Sequence, residues 1–382
     1  MDQKNNGNLL VLNATMILPD KTVLGDLRTE NGTISEIKIG GGLEPNHDEQ
    51  VIDGTGLHLL PGAIDPQVHF REPGQPEKED LGSGSAAAVS GGITSFLDMP
   101  NNKPAITDMK GMQMKLDSAA ATCVNNYGFF IGATPTNLAE LQEVVGTIDA
   151  PRAIPGICGT KVFMGSSTGT LLVNEREALD RIFGGIGGLI AVHAEDEDRL
   201  NERYPSFEHR TDMAAHAEWR DDVTALLATK IAVELAERHQ HRLHILHLTS
   251  GLEADWLEGR TSLPSQAVGK GVITTEVLPQ HLTFNEMDVE HEGVRLKMNP
   301  PIRYQADMDI LWRRIHDGTV HCIATDHAPH TLDAKAKGFP AAPSGMPGVE
   351  TSLTAMFTHA KDGRCTIEDG VKWMSANVAD CY

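Results

Sequence analysis

Histidines close three short apolar stretches of this chain, at His69, His193 and His247, and Asp326 opens the polar segment Thr325 to His330. Imidazole nitrogen and carboxylate oxygen are the ligands zinc prefers, and a catalytic zinc site keeps one position open for water. Such an ion brings the pKa of its water to about 7 and polarises a carbonyl. Any one of these histidines is equally well explained as a core imidazole bonded to backbone. The three together with Asp326 point to ligation, although their wide separation in sequence is not diagnostic by itself. Lys161 interrupts another apolar run. It reads either as an edge or snorkelling lysine, or as a buried amine that loses its proton and becomes nucleophilic. Arg71 stands two residues beyond His69, so in a strand both side chains would point the same way. A guanidinium there can grip a substrate carboxylate with two hydrogen bonds, the alternative being a surface ion pair with Glu72.

The elements that must position these groups are strands. Apolar runs at 92–99, 127–133, 160–164, 189–193, 243–248, 272–277 and 322–325 alternate with helical stretches such as 222–240. Repeated strand–helix units predict a parallel sheet with helices outside. Their number favours a closed (β/α)₈ barrel in the α/β class, and no GxGxxG opens a helix after a strand, which counts against a dinucleotide fold. In a barrel, the polar clusters after the strands converge on the C-terminal face, where active sites of this architecture lie. Residues 8 to about 60 read differently, as short strands. Asn31 and Gly32 mark a hairpin, and the alternation from Ile34 to Ile39 predicts a half-buried strand. The expected division is a small β domain over 1–60 and the barrel over 61–382.

The chain has 32 Lys and Arg against 53 Asp and Glu, a formal charge of −21, which argues against a nucleic-acid binder. The polar start of the sequence carries no secretory signal, and no apolar run approaches the ~20 residues of a membrane span. Five scattered cysteines without a CxxC pair read as reduced thiols in a cytoplasmic protein, not as a disulfide framework or a cysteine zinc site.

The segments Asp65–Gly74, Met99–Asn101, Lys161, His193, His247, Asn299–Arg303 and Ala324–His330 resemble the dihydroorotases of the amidohydrolase superfamily, from about residue 50 to the end. Arg71 after the histidine motif separates dihydroorotases from hydantoinases and allantoinases. The resemblance implies reversible interconversion of dihydroorotate and carbamoyl aspartate, in pyrimidine synthesis, with one or two zinc ions. It implies His69, Lys161 as a carbamate, His193, His247 and Asp326 as metal ligands, with Asp326 also the general base. Arg71, Asn101 and His330 would hold the substrate carboxylate and Asn299 the ring. Glu350, in a segment the family usually places near the substrate, receives no role. A homo-oligomer is expected, since dimers are common among such barrels, with aspartate transcarbamoylase as a candidate partner.

Three features depart from the family pattern. Gln67 stands where the family carries the first histidine of His-x-His, and an amide oxygen is a weaker zinc ligand than imidazole. Gln280 replaces the first of two consecutive histidines. Family members also continue past residue 382 with strands that complete the small β domain, so its C-terminal part is expected to be missing here, leaving strands without partners. Two other functions therefore stay open: a non-catalytic dihydroorotase-like scaffold for aspartate transcarbamoylase, and a related cyclic amidohydrolase of hydantoinase or allantoinase type.

Overall fold

Strands β1 (Leu9–Leu18), β2 (Lys21–Glu30) and β3 (Thr33–Ile39) form an antiparallel meander, and β4 (Gln50–Asp53) and β5 (His58–Leu59) pair parallel to β1. The computed structural model describes residues 7–18, 21–166, 171–267 and 271–382; the polar start of the chain, residues 1–6, lies outside them. Asn31 and Gly32 take φ values of 52° and 77°, as a tight hairpin turn requires. The half-buried strand expected at 34–39 is corrected: β3 forms, but all seven of its residues are exposed. It lies at the sheet edge, and the apolar cluster of this sheet gathers instead on β1, around Val11, Ala14 and Met16. Alternation identifies a strand without saying what covers it.

The second sheet has eight parallel strands in strict chain order. They are β6 (Ala63–Val68), β7 (Ile93–Asp98), β8 (Asn126–Gly132), β9 (Ile157–Phe163), β10 (Leu189–His193), β11 (Arg242–Leu248), β12 (Ile273–Val277) and β13 (Cys322–Ile323). Helices fill the connections, so the sheet curls into a nearly closed barrel with a helical coat. The longest helix, Asp222–His239, is capped by the Asp221 carboxylate, which accepts from the Thr224 amide, satisfying a donor that the first turn leaves open. Strand alternation sorts the two faces. On β11, Leu243 and Ile245 join the core shared with helix residues Ala228, Ala232 and Leu235, while Leu246 packs with Phe130 and Ala191 inside the barrel. No helix among the described residues is long and apolar enough to cross a membrane.

The last strand is shorter than the apolar run 322–325 suggests, because side chains and a single bridge complete the closure. Val68 and His327 make an isolated parallel bridge, and the His69 amide donates to the His327 carbonyl at 2.7 Å. Asp65, on β6, accepts from the Thr325 amide at 3.1 Å, the Gln67 amide at 3.3 Å and the Thr325 hydroxyl. Burial pushes the Asp65 carboxyl up to about 7, against these hydrogen bonds.

That shift fixes a sign. Asp65 holds its proton more tightly folded than unfolded, so its contribution is full below pH 4 and is lost as pH rises toward 7. Wild-type stability, measured by urea unfolding, should therefore fall relative to Asp65→Asn across this window, by on the order of 4 kcal/mol. A wild-type-minus-variant difference that stays constant from pH 4 to 7.5 would show that the shift does not exist.

Candidate active site

A pocket of about 330 Å³, counting its open mouth, is lined by Gln67, His69, Lys161, His193, His247, Asn299 and Asp326, with Phe163, Ala328, Ser344 and Gly345. All five residues expected as metal ligands thus share one pocket, together with Gln67 and one of the four expected substrate contacts. The other three adjoin it. Asn101 Oδ1 lies 2.6 Å from His69 Nδ1. Arg71 Nη2 lies 3.4 Å from His330 Nε2, which also faces the Ser344 carbonyl at 3.0 Å. Gly345 (φ 140°) leaves room for this wall: a Cβ there would meet the Ala328 carbonyl oxygen at 2.4 Å and the His330 ring at 3.0 Å.

The pocket divides into two groups. In the first, His193 ends β10, His247 lies near the end of β11, and Lys161 rises from the middle of β9. His193 Nδ1 and His247 Nε2 are 3.0 Å apart. Burial pushes both imidazoles below their ordinary pKa, with Lys161 acting in the same direction. His193 Nε2 faces the Glu195 carboxylate at 2.8 Å, so the proton belongs on Nε2 and the lone pair on Nδ1. Glu195 is itself fully buried and paired with Arg220. Burial alone would raise its pKa, but the Arg220 charge and the His193 hydrogen bond hold it at about 2. Lys161 is 1% exposed, which excludes an edge lysine, and burial lowers its pKa to about 7. Two neutral imidazoles sharing a 3 Å gap beside an amine that is easily deprotonated suit a divalent cation.

In the second group, Asp326 Oδ1 receives His69 Nε2 at 2.9 Å and the Gln67 side-chain amide nitrogen at 3.0 Å. Gln67 Oε1 is buried with no hydrogen-bond partner. This group fits a cation less well, since an amide N–H offers no lone pair.

Arg71 does not follow the strand argument made for it. β6 ends at Val68, and Arg71 has φ 51°. It is nevertheless buried, its Nε donating to the Pro329 carbonyl at 3.2 Å, and Glu72 turns elsewhere, to Ser118 and the Leu81 amide. Burial lowers the His330 pKa to about 3, and the Arg71 charge adds to this. The loops carrying His69 and Asn101 are tied down by Asp98, buried against Lys115 at 2.7 Å, whose Oδ1 accepts from the Phe70 and Met99 amides. Gln280 donates to the Thr325 carbonyl at 2.8 Å and so braces the residue before Asp326.

Sequence reasoning missed Glu195, Arg220 and the Ser344–Gly345 wall. Glu195 carried one signal, its place two residues after His193; the others meet the pocket only through tertiary folding. A further set of ligand-type residues, His244, Glu276 and Cys322, lies within the barrel. Both His244 ring nitrogens are already engaged there, by Thr274 at 2.7 Å and Glu276 at 3.1 Å, so it reads as a buried ion pair.

Residues 58–382 match the amidohydrolase family model. A dihydroorotase of Methanosarcina acetivorans is 33% identical over 361 residues, spanning 94% of this chain and 75% of the relative. An allantoinase of Streptomyces avermitilis is 34% identical over 356 residues, 87% of this chain and 74% of its own. Among solved structures, an L-hydantoinase from Arthrobacter aurescens superposes with a TM-score of 0.88 at 25% identity, covering 98% of this chain and 82% of that one. The chain belongs to the amidohydrolase family. It is a hydrolase of the branch that acts on cyclic amides, in a family generally dependent on metal.

Glu195→Gln should weaken divalent-metal uptake by about 10- to 100-fold, read by competition with a chromogenic chelator, with the circular dichroism spectrum retained. Unchanged affinity in a folded variant would show that Glu195 does not act through His193.

Proposed function

We propose that this enzyme is a dihydroorotase, opening dihydroorotate to carbamoyl aspartate and closing it again in pyrimidine biosynthesis. The observation that carries the reading is Arg71. Among the described residues no carboxylate lies within ion-pair distance of this buried guanidinium, and His330 and the pocket adjoin it. A buried cation left without a counter-charge is costly, and an anionic substrate supplies that charge through a bidentate hydrogen bond. The dihydroorotate ring bears a carboxylate; a plain hydantoin ring does not.

In this reading zinc is held by Lys161, His193 and His247, with His69 and Asp326 adjoining. The ion, when bound, polarises the ring carbonyl and lowers the pKa of water. Lys161 takes part as a carbamate: its neutral amine adds carbon dioxide and sheds a proton, yielding two oxygens that share one negative charge, and the lowered amine pKa supports this step. Asp326 takes the proton released as water adds to the ring carbonyl and delivers it to the ring nitrogen as the C–N bond breaks. Arg71 and His330 grip the substrate carboxylate, joined by Asn101, which lies against the His69 ring. Asn299 Oδ1, buried without a partner, accepts a ring N–H. Run backwards, the same transfers close the ring. The reading also makes the chain a cytoplasmic homo-oligomer, with aspartate transcarbamoylase as a candidate partner.

A second reading, a cyclic amidohydrolase for another ring, draws on the allantoinase relative and the hydantoinase neighbour. Turnover separates the two. The zinc-loaded enzyme should open dihydroorotate, Asp326→Asn should abolish this, and Arg71→Gln should raise KM by about 10- to 100-fold, the worth of a charged hydrogen bond, while still folding. Faster turnover of hydantoin or allantoin than of dihydroorotate, indifferent to Arg71→Gln, would overturn the first reading in favour of the second.

A further inference from the structure

The two halves of the pocket differ in what they present to a cation. Beside Lys161, His193 Nδ1 and His247 Nε2 face each other across 3.0 Å. Glu195 takes the remaining ring proton of His193, so His193 offers a lone pair at Nδ1, and neutral His247 presents one at Nε2 in its other tautomer. Around Asp326 the contacts are donors. Its Oδ1 receives the Gln67 amide nitrogen at 3.0 Å and His69 Nε2 at 2.9 Å, while His69 Nδ1 is engaged by Asn101 Oδ1. A cation seated against Asp326 Oδ1 would confront the positive end of the Gln67 N–H dipole. Turning the amide over would set Gln67 Oε1 against the carboxylate oxygen, two acceptors that only a cation between them could hold together, whereas the N–H holds Asp326 directly.

Resting on the metal-dependent reading above, we propose that this centre holds a single divalent ion, at Lys161, His193 and His247, and that the Gln67 side-chain amide fills the place of a second ion by orienting Asp326. An amide is suited to that role. It is neutral, so its burial is far less costly than a charge's, and its N–H fixes the carboxylate without competing for the ligands of the first ion. The arrangement leaves Asp326 with two directed donors on one oxygen, which aims the carboxylate at the pocket. Gln67 is thus a positioning residue acting through Asp326.

The test is a metal count. The protein is loaded with zinc in bicarbonate buffer, freed of loose ions by gel filtration, and its zinc measured per chain by mass spectrometry. One ion is expected in the wild type and two in Gln67→His, which restores a lone pair beside Asp326. Gln67→Ala should keep one ion yet lose kcat by about 10- to 100-fold, as removal of an outer-shell partner does, with KM little changed; it also serves should the histidine variant fail to fold. Two ions in the wild type would overturn the inference, since the amide would then have turned to ligate through Oε1. One ion in Gln67→His, or an unaltered kcat in Gln67→Ala, would overturn the role of Gln67. No bound ion would overturn both the inference and the metal-dependent reading beneath it. One ion with no dihydroorotate turnover would support the inference and remove only the proposed substrate.

Discussion

Barrel closure depends on a carboxylate where a ladder of backbone bonds would be expected. Asp65 holds Thr325 by both amide and hydroxyl, and one bridge from Val68 to His327 completes the seam. The ring of strands is otherwise continuous, each pairing with the next in sequence. This seam joins chain segments some 260 residues apart, and it sets Gln67 and His69 beside Asp326. Losing it would separate the two sides of the pocket before any ligand was touched. The burial that raises the Asp65 pKa is the same burial that excludes water from these hydrogen bonds, so the strain in protonation and the strength of the seam have one origin.

Backbone strain gathers at the same end of the barrel. Six non-glycine residues in the described chain have positive φ. Asn31 is in a tight turn, Asn13 lies where the pairing of β1 slips, and Gln240 ends a helix, all places where left-handed backbone is usual. The other three are Arg71, His247 and Asp326. Each costs on the order of 1–3 kcal/mol to hold, and each is held by burial and by neighbours on other strands. Arg71 reaches the Pro329 carbonyl only because its backbone turns this way beyond β6. His247 is aimed at His193 rather than along the alternating face of β11.

Much of this was legible in the sequence, for physical reasons. The barrel strands are buried on both sides, so they read as short apolar runs, and β10 and β11 fall within a residue of the runs at 189–193 and 243–248. The ligand types stood out because a histidine or lysine at the end or middle of such a run has few bland explanations. What failed was inference from one element alone. The Ile34–Ile39 alternation predicted a covered face that an edge strand does not have. The two-residue spacing of His69 and Arg71 was read as a strand, whereas both lie past the strand end. Glu195 carried only its nearness to His193, and Ser344–Gly345 carry no local pattern, since their importance arises only when distant segments meet.

The charge balance of the site follows from these placements. With a formal charge of −21, the chain as a whole repels an anion, yet only charges within about a Debye length of 8–10 Å act strongly on a bound ligand. Near the pocket the acids are already matched. Glu195 is paired with Arg220 and Asp98 with Lys115, all four buried, and Asp326 is engaged by His69 and Gln67. Arg71, also buried, has no such match among the described residues. Burial weakens its hold on its own proton, opposed first by the charge of Asp326. In the dihydroorotase reading, a carboxylate arriving on the cyclic amide would complete this pairing despite the acidity of the whole.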